Sequence, residues 1–146
     1  LLTDDGEISN RLLHPRYQVP RTYLVKVKGE PTAATLAKLR GGVRLEDGMA
    51  SASKVERFDK AEANTWLEIV VTEGRPHLVK RLCAAIGHPV VRLFRPAQAG
   101  IAVGDLEPGS LRPLTPEEVG VVTGVAEGKP PPPLELKLPP RRHRPR

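Results

Sequence analysis

A chain of 146 residues with one cysteine, one methionine, one tryptophan and aromatics at only 3% lacks most of the side chains that announce a function. The lone Cys83 cannot close an internal disulfide, and no C-x-x-C pair or His/Cys cluster offers a metal site. A buried structural thiol is the expected role. No apolar run approaches the roughly 18 residues of a membrane-spanning helix. With no signal peptide at Leu1 either, the expected location is the cytoplasm. Gly41-Gly42 fits neither a phosphate-cradling nor a dinucleotide-binding loop, and there is no G-x-S-x-G and no paired histidine. These absences exclude P-loop, dinucleotide, serine-hydrolase and zinc chemistry. A starting methionine is missing too. Leu1-Leu2-Thr3-Asp4-Asp5-Gly6 reads as the end of a strand running into a turn. A domain rarely begins inside an apolar strand, so a preceding N-terminal portion is expected.

What the chain does have is proline (16), glycine (13) and positive charge, +6 in all. The charge is unevenly placed. Residues 123–146 hold six Lys/Arg against two Glu, so that segment carries +4 and residues 1–122 only +2. Four consecutive prolines at 130–133 and the tip Arg141-Arg142-His143-Arg144-Pro145-Arg146 cannot bury a core. The expected organisation is a folded domain over 1–122 and a disordered, partly polyproline II tail over 123–146. Such a tail could add salt-sensitive attraction to RNA, or serve solubility alone.

Between these limits the pattern is mixed. Glu7 to Leu13 predicts a short helix. Arg21 to Lys28 alternates, with Tyr23, Val25 and Val27 on one side and Leu24, Lys26 and Lys28 on the other, which predicts a half-buried antiparallel strand. Thr32 is an N-cap candidate for a helix with core contacts at Leu36 and Leu39, ended by Gly41-Gly42. Val43–Leu45 with the turn Glu46-Asp47-Gly48 predicts a hairpin. Strands follow near 50–58 and 65–72, joined by a polar loop from Asp59 to Asn64, with Trp66 in the core near Ile69 and Val71. Thr115-Pro116-Glu117-Glu118 is a capping-box helix start, with the helix ending near Val122. The expected fold class is α+β: a mixed, mostly antiparallel sheet with a few short helices.

One segment concentrates chemistry. Leu78, Leu82, Ala85 and Ile86 recur at helical spacing and predict a core stripe, while His77, Lys80, Arg81 and Ala84 fall on another face. Gly87 with Pro89 marks the helix end. Arg75 precedes the helix, and Arg92 and Arg95 lie on the strand after it. Alone, this is a solvated basic face. His14 and His88, each before a proline, read as structural, and Asp4, Asp5, Asp47 and Asp59 sit in turns where aspartate is expected anyway.

In order and spacing, Leu1-Leu2-Thr3-Asp4-Asp5-Gly6-Glu7, Asn10-Arg11-Leu12, His14-Pro15-Arg16-Tyr17, Thr22-Tyr23-Leu24-Val25-Lys26-Val27, Glu73-Gly74-Arg75 with His77, Val79-Lys80-Arg81, and Gly87-His88-Pro89-Val90 resemble the ribosomal RNA pseudouridine synthases of the RsuA/RluB type. Leu111 to Glu118 is similar to that family's closing segment. The likeness runs from residue 1 to about 120. It implies the family's catalytic domain, incomplete at its N-terminus. It also implies an isomerase that converts a specific uridine in ribosomal RNA to pseudouridine, with no metal or other cofactor and no membrane, acting as a cytoplasmic monomer.

The nucleophilic aspartate sits in a G-R-L-D motif about a dozen residues before the Leu-Leu-Thr turn in that family. It is not in this chain, and these residues alone are expected to be inactive. By the resemblance Tyr23 lies against the flipped uracil and Lys80 pairs with the catalytic carboxylate. Arg75, His77, Arg81, Arg92 and Arg95 would contact RNA, with Leu93 continuing that wall. Pro76 and Leu78 stand where the family has a polar residue and Gln, and Ala97 and Ala99 where it has a basic residue and glycine. The alternatives are a non-catalytic RNA-binding protein that keeps the fold, and a basic accessory protein that binds through its tail.

Overall fold

A computed structural model describes residues 19–73, 75, 77–99, 101–102, 111–129, 134, 136 and 138. The helix expected over 7–13 and the Asp4-Asp5-Gly6 turn lie outside them. The described elements are β1 (Arg21–Lys28), α1 (Ala33–Gly41), β2 (Val43–Leu45), β3 (Gly48–Ala50), β4 (Lys54–Ala61), β5 (Asn64–Val71), α2 (Leu78–Ala85), β6 (Val90–Gln98), β7 (Ile101–Ala102) and α3 (Pro116–Ala126).

The alternating strand is the centre of the sheet. Five strands lie in the order β4-β5-β1-β6-β7 with every neighbouring pair antiparallel, and β2 and β3 form a separate two-stranded ribbon. The α+β class expected from the sequence is what the chain adopts. Val25 and Val27 are buried in the main core together with Val55, Leu67, Ile69, Leu36 and Leu39, and Tyr23 packs against that cluster. Leu24, on the opposite side of β1, is buried as completely, so the strand is covered on both faces.

Because β5 and β6 both run antiparallel to β1, they run parallel to each other. Their link must therefore cross a face of the sheet. That link is α2, whose Leu78, Val79, Leu82 and Cys83 enter the same cluster as Val25 and Val27. The crossing fixes α2 over the Tyr23 side of β1. Its buried stripe is centred one residue away from the expected one: Val79 and Cys83 are inside and Ala85 is exposed. Apolar residues occupy 78, 79, 82 and 83, a wider stripe, and the larger Val79 wins the core place over Ala85. Cys83 is buried as expected, and burial pushes its thiol up to about 12.

Helix α1 starts where expected: the Thr32 side chain accepts from the Thr35 N–H at 3.2 Å, and Arg40 Nη1 ties the helix to the Val55 carbonyl at 2.8 Å. Strand β4 continues past the expected loop to Ala61, pairing Ala61 with Asn64. A register shift between Arg57 and Asp59 absorbs Phe58, so the polar stretch keeps its ladder hydrogen bonds on the exposed edge. Trp66 is 6% exposed but belongs to the other face of β5 from Leu67, Ile69 and Val71. Strand parity separates it from the neighbours the sequence suggested.

A second, smaller cluster gathers Val19, Ala99, Ile101, Val122, Val125 and Ala126. It draws α3 four residues beyond the expected boundary at 122, since Val125 and Ala126 each bury against β7 and its neighbours. Gly128, with φ +92, closes that helix: its N–H donates to Val125 and the Lys129 N–H to Gly124. Gly87, with φ +85, closes α2 in the same way, donating to Ala84 while His88 N–H donates to Cys83. His88 then reaches back, its Nδ1 2.7 Å from the Lys28 carbonyl oxygen, and fastens the end of the crossover to the end of β1.

Candidate nucleic-acid site

The site grows from an irregularity beside Tyr23. Strand β6 pairs with β1 at Leu24↔Phe94 and at Thr22↔Ala97, so Arg95 and Pro96 together oppose Tyr23 alone. This is a β-bulge, and Pro96, which has no N–H to give to a ladder, stands in it. Val25 pairs with Leu93 on the core face, so Arg95 follows on that face beside Tyr23. Tyr23 is half-buried, and its hydroxyl has no hydrogen-bond partner among the described residues. A half-buried tyrosine normally finds a partner for its hydroxyl. Here an aromatic face and a phenol stand ready next to an exposed cation.

Helix α2 leaves from the Val71 end of β5, the end at which Tyr23 pairs with Ile69. Its first turn carries Lys80, exposed and without an ion pair among the described residues. His77, at the N-cap, is also exposed and adopts a left-handed backbone (φ 52, ψ 30), and its side chain makes no capping hydrogen bond. A non-glycine residue in that region costs of order 1–3 kcal/mol and tends to mark functional sites.

The remaining candidates go elsewhere. Arg92 pairs with Lys26 on the face of β1 away from Tyr23. Arg75 and Arg81 are held by the ribbon. Arg81 donates through Nη1 and Nη2 to the two carboxylate oxygens of Asp47 at 2.9 and 3.0 Å, a fork-to-fork pair. Arg75 donates to the same carboxylate at 3.2 Å and to the Met49 carbonyl at 2.5 Å, while its Nε makes an ion-pair contact with Glu73 at 2.8 Å. Arg81, and to a lesser degree Arg75, hold the Asp47 carboxyl below the usual carboxylate range, against an opposing push from desolvation. Glu73 first, and Asp47 after it, raise the Arg75 pKa above its ordinary value. Sequence reasoning placed Asp47 in a turn and gave it no further part. Nothing in its neighbourhood marks it, because its partners lie 28 and 34 residues away.

Tyr23 and Arg95 stand on the face of the sheet that α2 covers, and Lys80 and His77 stand exposed at the start of that helix. An aromatic face can stack on a base, and exposed basic side chains can meet phosphates. No group of three or more His, Cys, Asp or Glu side chains suited to a metal occurs among the described residues.

Known proteins sharpen that description. The family model described as RNA pseudouridylate synthase matches residues 1–85. A relative from Aquifex aeolicus named "Uncharacterized RNA pseudouridine synthase" is 45% identical over 119 residues, 82% of this chain and 48% of its own length. The Bacillus subtilis "Ribosomal large subunit pseudouridine synthase B" is 40% identical over 129 residues, 87% of this chain and 53% of its own. A crystal structure of a pseudouridylate synthase superposes with a TM-score of 0.70 at 30% identity, covering 82% of this chain and 52% of that one. The fold is that of RNA base-modifying isomerases. The chain belongs to the RNA pseudouridylate synthase family and, by its relatives, to the RsuA/RluB type. It spans about half the length of the curated relatives it matches.

Proposed function

We propose that the protein containing these residues isomerises a specific uridine of ribosomal RNA to pseudouridine. The observation that carries the reading is Tyr23, half-buried on the α2 side of β1, with a hydroxyl that has no partner among the described residues and two residues of a bulge facing it. An aromatic face stacks on a base lifted out of its helix, and a phenol can exchange the proton that leaves carbon 5 when the ring is rejoined through carbon. The nucleophile is an aspartate encoded upstream of Leu1. Lys80 keeps that carboxylate ionised and oriented, since an opposite charge close by favours the charged form. Arg95 and His77 hold the RNA backbone, which positions the substrate without reading its sequence. The reaction breaks one bond from carbon to nitrogen and forms one from carbon to carbon, with no net oxidation, so these side chains suffice without a cofactor.

Ribosomal RNA is the favoured substrate because the Bacillus subtilis relative and a Vibrio vulnificus relative, "Ribosomal large subunit pseudouridine synthase E", both carry the ribosomal large subunit in their names. We place the protein in the cytoplasm as a monomer. Among the described residues no helix is long and apolar enough to cross a membrane.

The test is tritium release from ribosomal RNA labelled at carbon 5 of uridine, using protein that includes the coding sequence upstream of Leu1. Turnover is expected, and Tyr23→Phe should lower it at least about 100-fold while RNA is still bound. Binding without turnover by the unmodified protein would favour the non-catalytic RNA binder instead. Robust turnover by residues 1–146 alone would overturn the placing of the nucleophile upstream.

A further inference from the structure

We infer that Asp47 is a positioning residue for this reaction: by gripping Arg75 and Arg81 together it fixes the start of α2 against the β2–β3 ribbon, and so fixes where His77 and Lys80 stand. The inference rests on the isomerase reading above and adds to it a residue with no contact to substrate.

The start of α2 needs outside support. The helix is eight residues long, has no side-chain cap at His77, and has no acidic residue in its first turn to balance its dipole. Its N-cap is held in a conformation that costs energy wherever the surroundings do not impose it. Burial of Leu78, Val79, Leu82 and Cys83 anchors one side of the helix. The other side is anchored by Arg81, one residue beyond Lys80, whose two terminal nitrogens are both committed to Asp47. Arg75, two residues before His77, meets the same carboxylate and the Met49 carbonyl. One aspartate thus holds the chain on both sides of the strained His77.

The same cluster is poorly suited to binding phosphate itself. Asp47 and Glu73 cancel the formal charge of Arg75 and Arg81, and the donors of Arg81 that could fork onto a phosphate are already forked onto Asp47. The exposed side chains of Lys80, His77 and Arg95 remain for RNA. The ribbon is in turn secured by Val43 and Leu45, which pack against the main core, so Asp47 has a firm base to hold from.

The decisive variant is Asp47→Asn, nearly isosteric but without the charge, in the protein that includes the upstream sequence. Its kcat for tritium release should fall at least about tenfold, with any rise in the KM for RNA smaller than that loss, since misplacing Lys80 costs rate and displacing His77 costs only a part of the RNA contact. Amide exchange over Leu78–Leu82 should quicken while that of β1 and β5 stays as it was. Asp47→Glu, which can remake the grip, should recover part of kcat. If Asp47→Asn fails to fold, Arg81→Lys keeps the charge, loses the fork and should show the same kcat loss. Unchanged kcat, or a loss carried by KM alone, would overturn the proposal; the second result would make the cluster an RNA-contacting surface. Wild-type turnover with an indifferent Asp47→Asn sinks the positioning role and leaves the isomerase reading standing. An inactive wild type sinks both.

Discussion

Helices α2 and α3 end by the same device and begin by opposite ones. Each closes on a glycine with positive φ, Gly87 or Gly128, whose N–H and that of the next residue return to carbonyls of the last turn. At its start α3 is self-sufficient. Thr115 accepts from the Glu118 N–H, Glu118 accepts from the Thr115 N–H, Pro116 is pre-set for the first turn, and Arg112 forks onto Glu118 at 2.6 and 2.8 Å. Everything needed lies within seven residues. The start of α2 has none of this, and it borrows a carboxylate from a hairpin about thirty residues earlier. A locally complete helix end is concerned with stability. A locally incomplete one, held from a distance, marks the place where side-chain position matters more than local comfort.

Breaking the α3 start should have the largest effect on stability and none on chemistry. Thr115→Ala removes one arm of the capping box and should cost about 1 kcal/mol, read as a lowered midpoint in chemical denaturation. Turnover per folded molecule should be unchanged, because α3 packs in the second cluster and Tyr23 packs against the main one. If Thr115→Ala reduced turnover, the separation between the two helices' roles would not hold.

The difference between the helices also decided what could be read in the sequence. The start of α3 was legible because its signals are contiguous, as were Thr32, Gly87 and the alternation over 21–28. The end of α3 could have been read as well. Gly128 followed by Pro130 repeats the Gly87–Pro89 signature, but the Val-Val-Thr-Gly-Val-Ala run before it carries too little periodicity to demand a helix. Strand parity placed Tyr23 correctly and would have placed Trp66, had it been applied there. Asp47 was not legible, because an aspartate in a turn satisfies local rules and only tertiary structure brings Arg75 and Arg81 to it. Nor was the bulge at Arg95–Pro96, which appears only once β6 is set against β1. Ala99 is a milder case: the resemblance expects glycine there, and the φ of 54 at this buried residue gives the physical reason.

A smaller effect is expected at the other helix start. His77→Gly relieves the left-handed backbone at the N-cap of α2, where glycine is nearly as good a cap as the polar residues. Part of that gain is offset by the greater freedom of glycine in the unfolded chain, leaving a net stabilisation of about 0.5 kcal/mol. RNA affinity, measured by filter binding at fixed salt, should fall at the same time. A variant that gains stability while losing binding is the signature of strain kept for function. A loss of stability would mean that the His77 ring, not its position, supports the helix.

The finest comparison is between the two carboxylates. Glu118 is held down to about 2, first by the Arg112 guanidinium and then by the Thr115 N–H. Asp47 is also lowered, first by Arg81. In each case the folded value lies below the unfolded one, so the contribution to stability is complete above the unfolded pKa and is lost as pH falls through the folded value. For Glu118 that loss runs from its ordinary 4.5 down to about 2. Carboxyl-carbon chemical shifts followed by NMR should therefore show Glu118 titrating near the lower figure, and Arg112→Ala should move its midpoint up toward the ordinary one. Asp47 should show the same upward movement in Arg81→Ala. The local pair needs only the chain from Arg112 to Glu118 to stay in register, whereas the remote pair needs the ribbon docked. Modest denaturant, short of global unfolding, should consequently raise the midpoint of Asp47 before that of Glu118. If the two moved together, α2 would be no more dependent on distant support than α3.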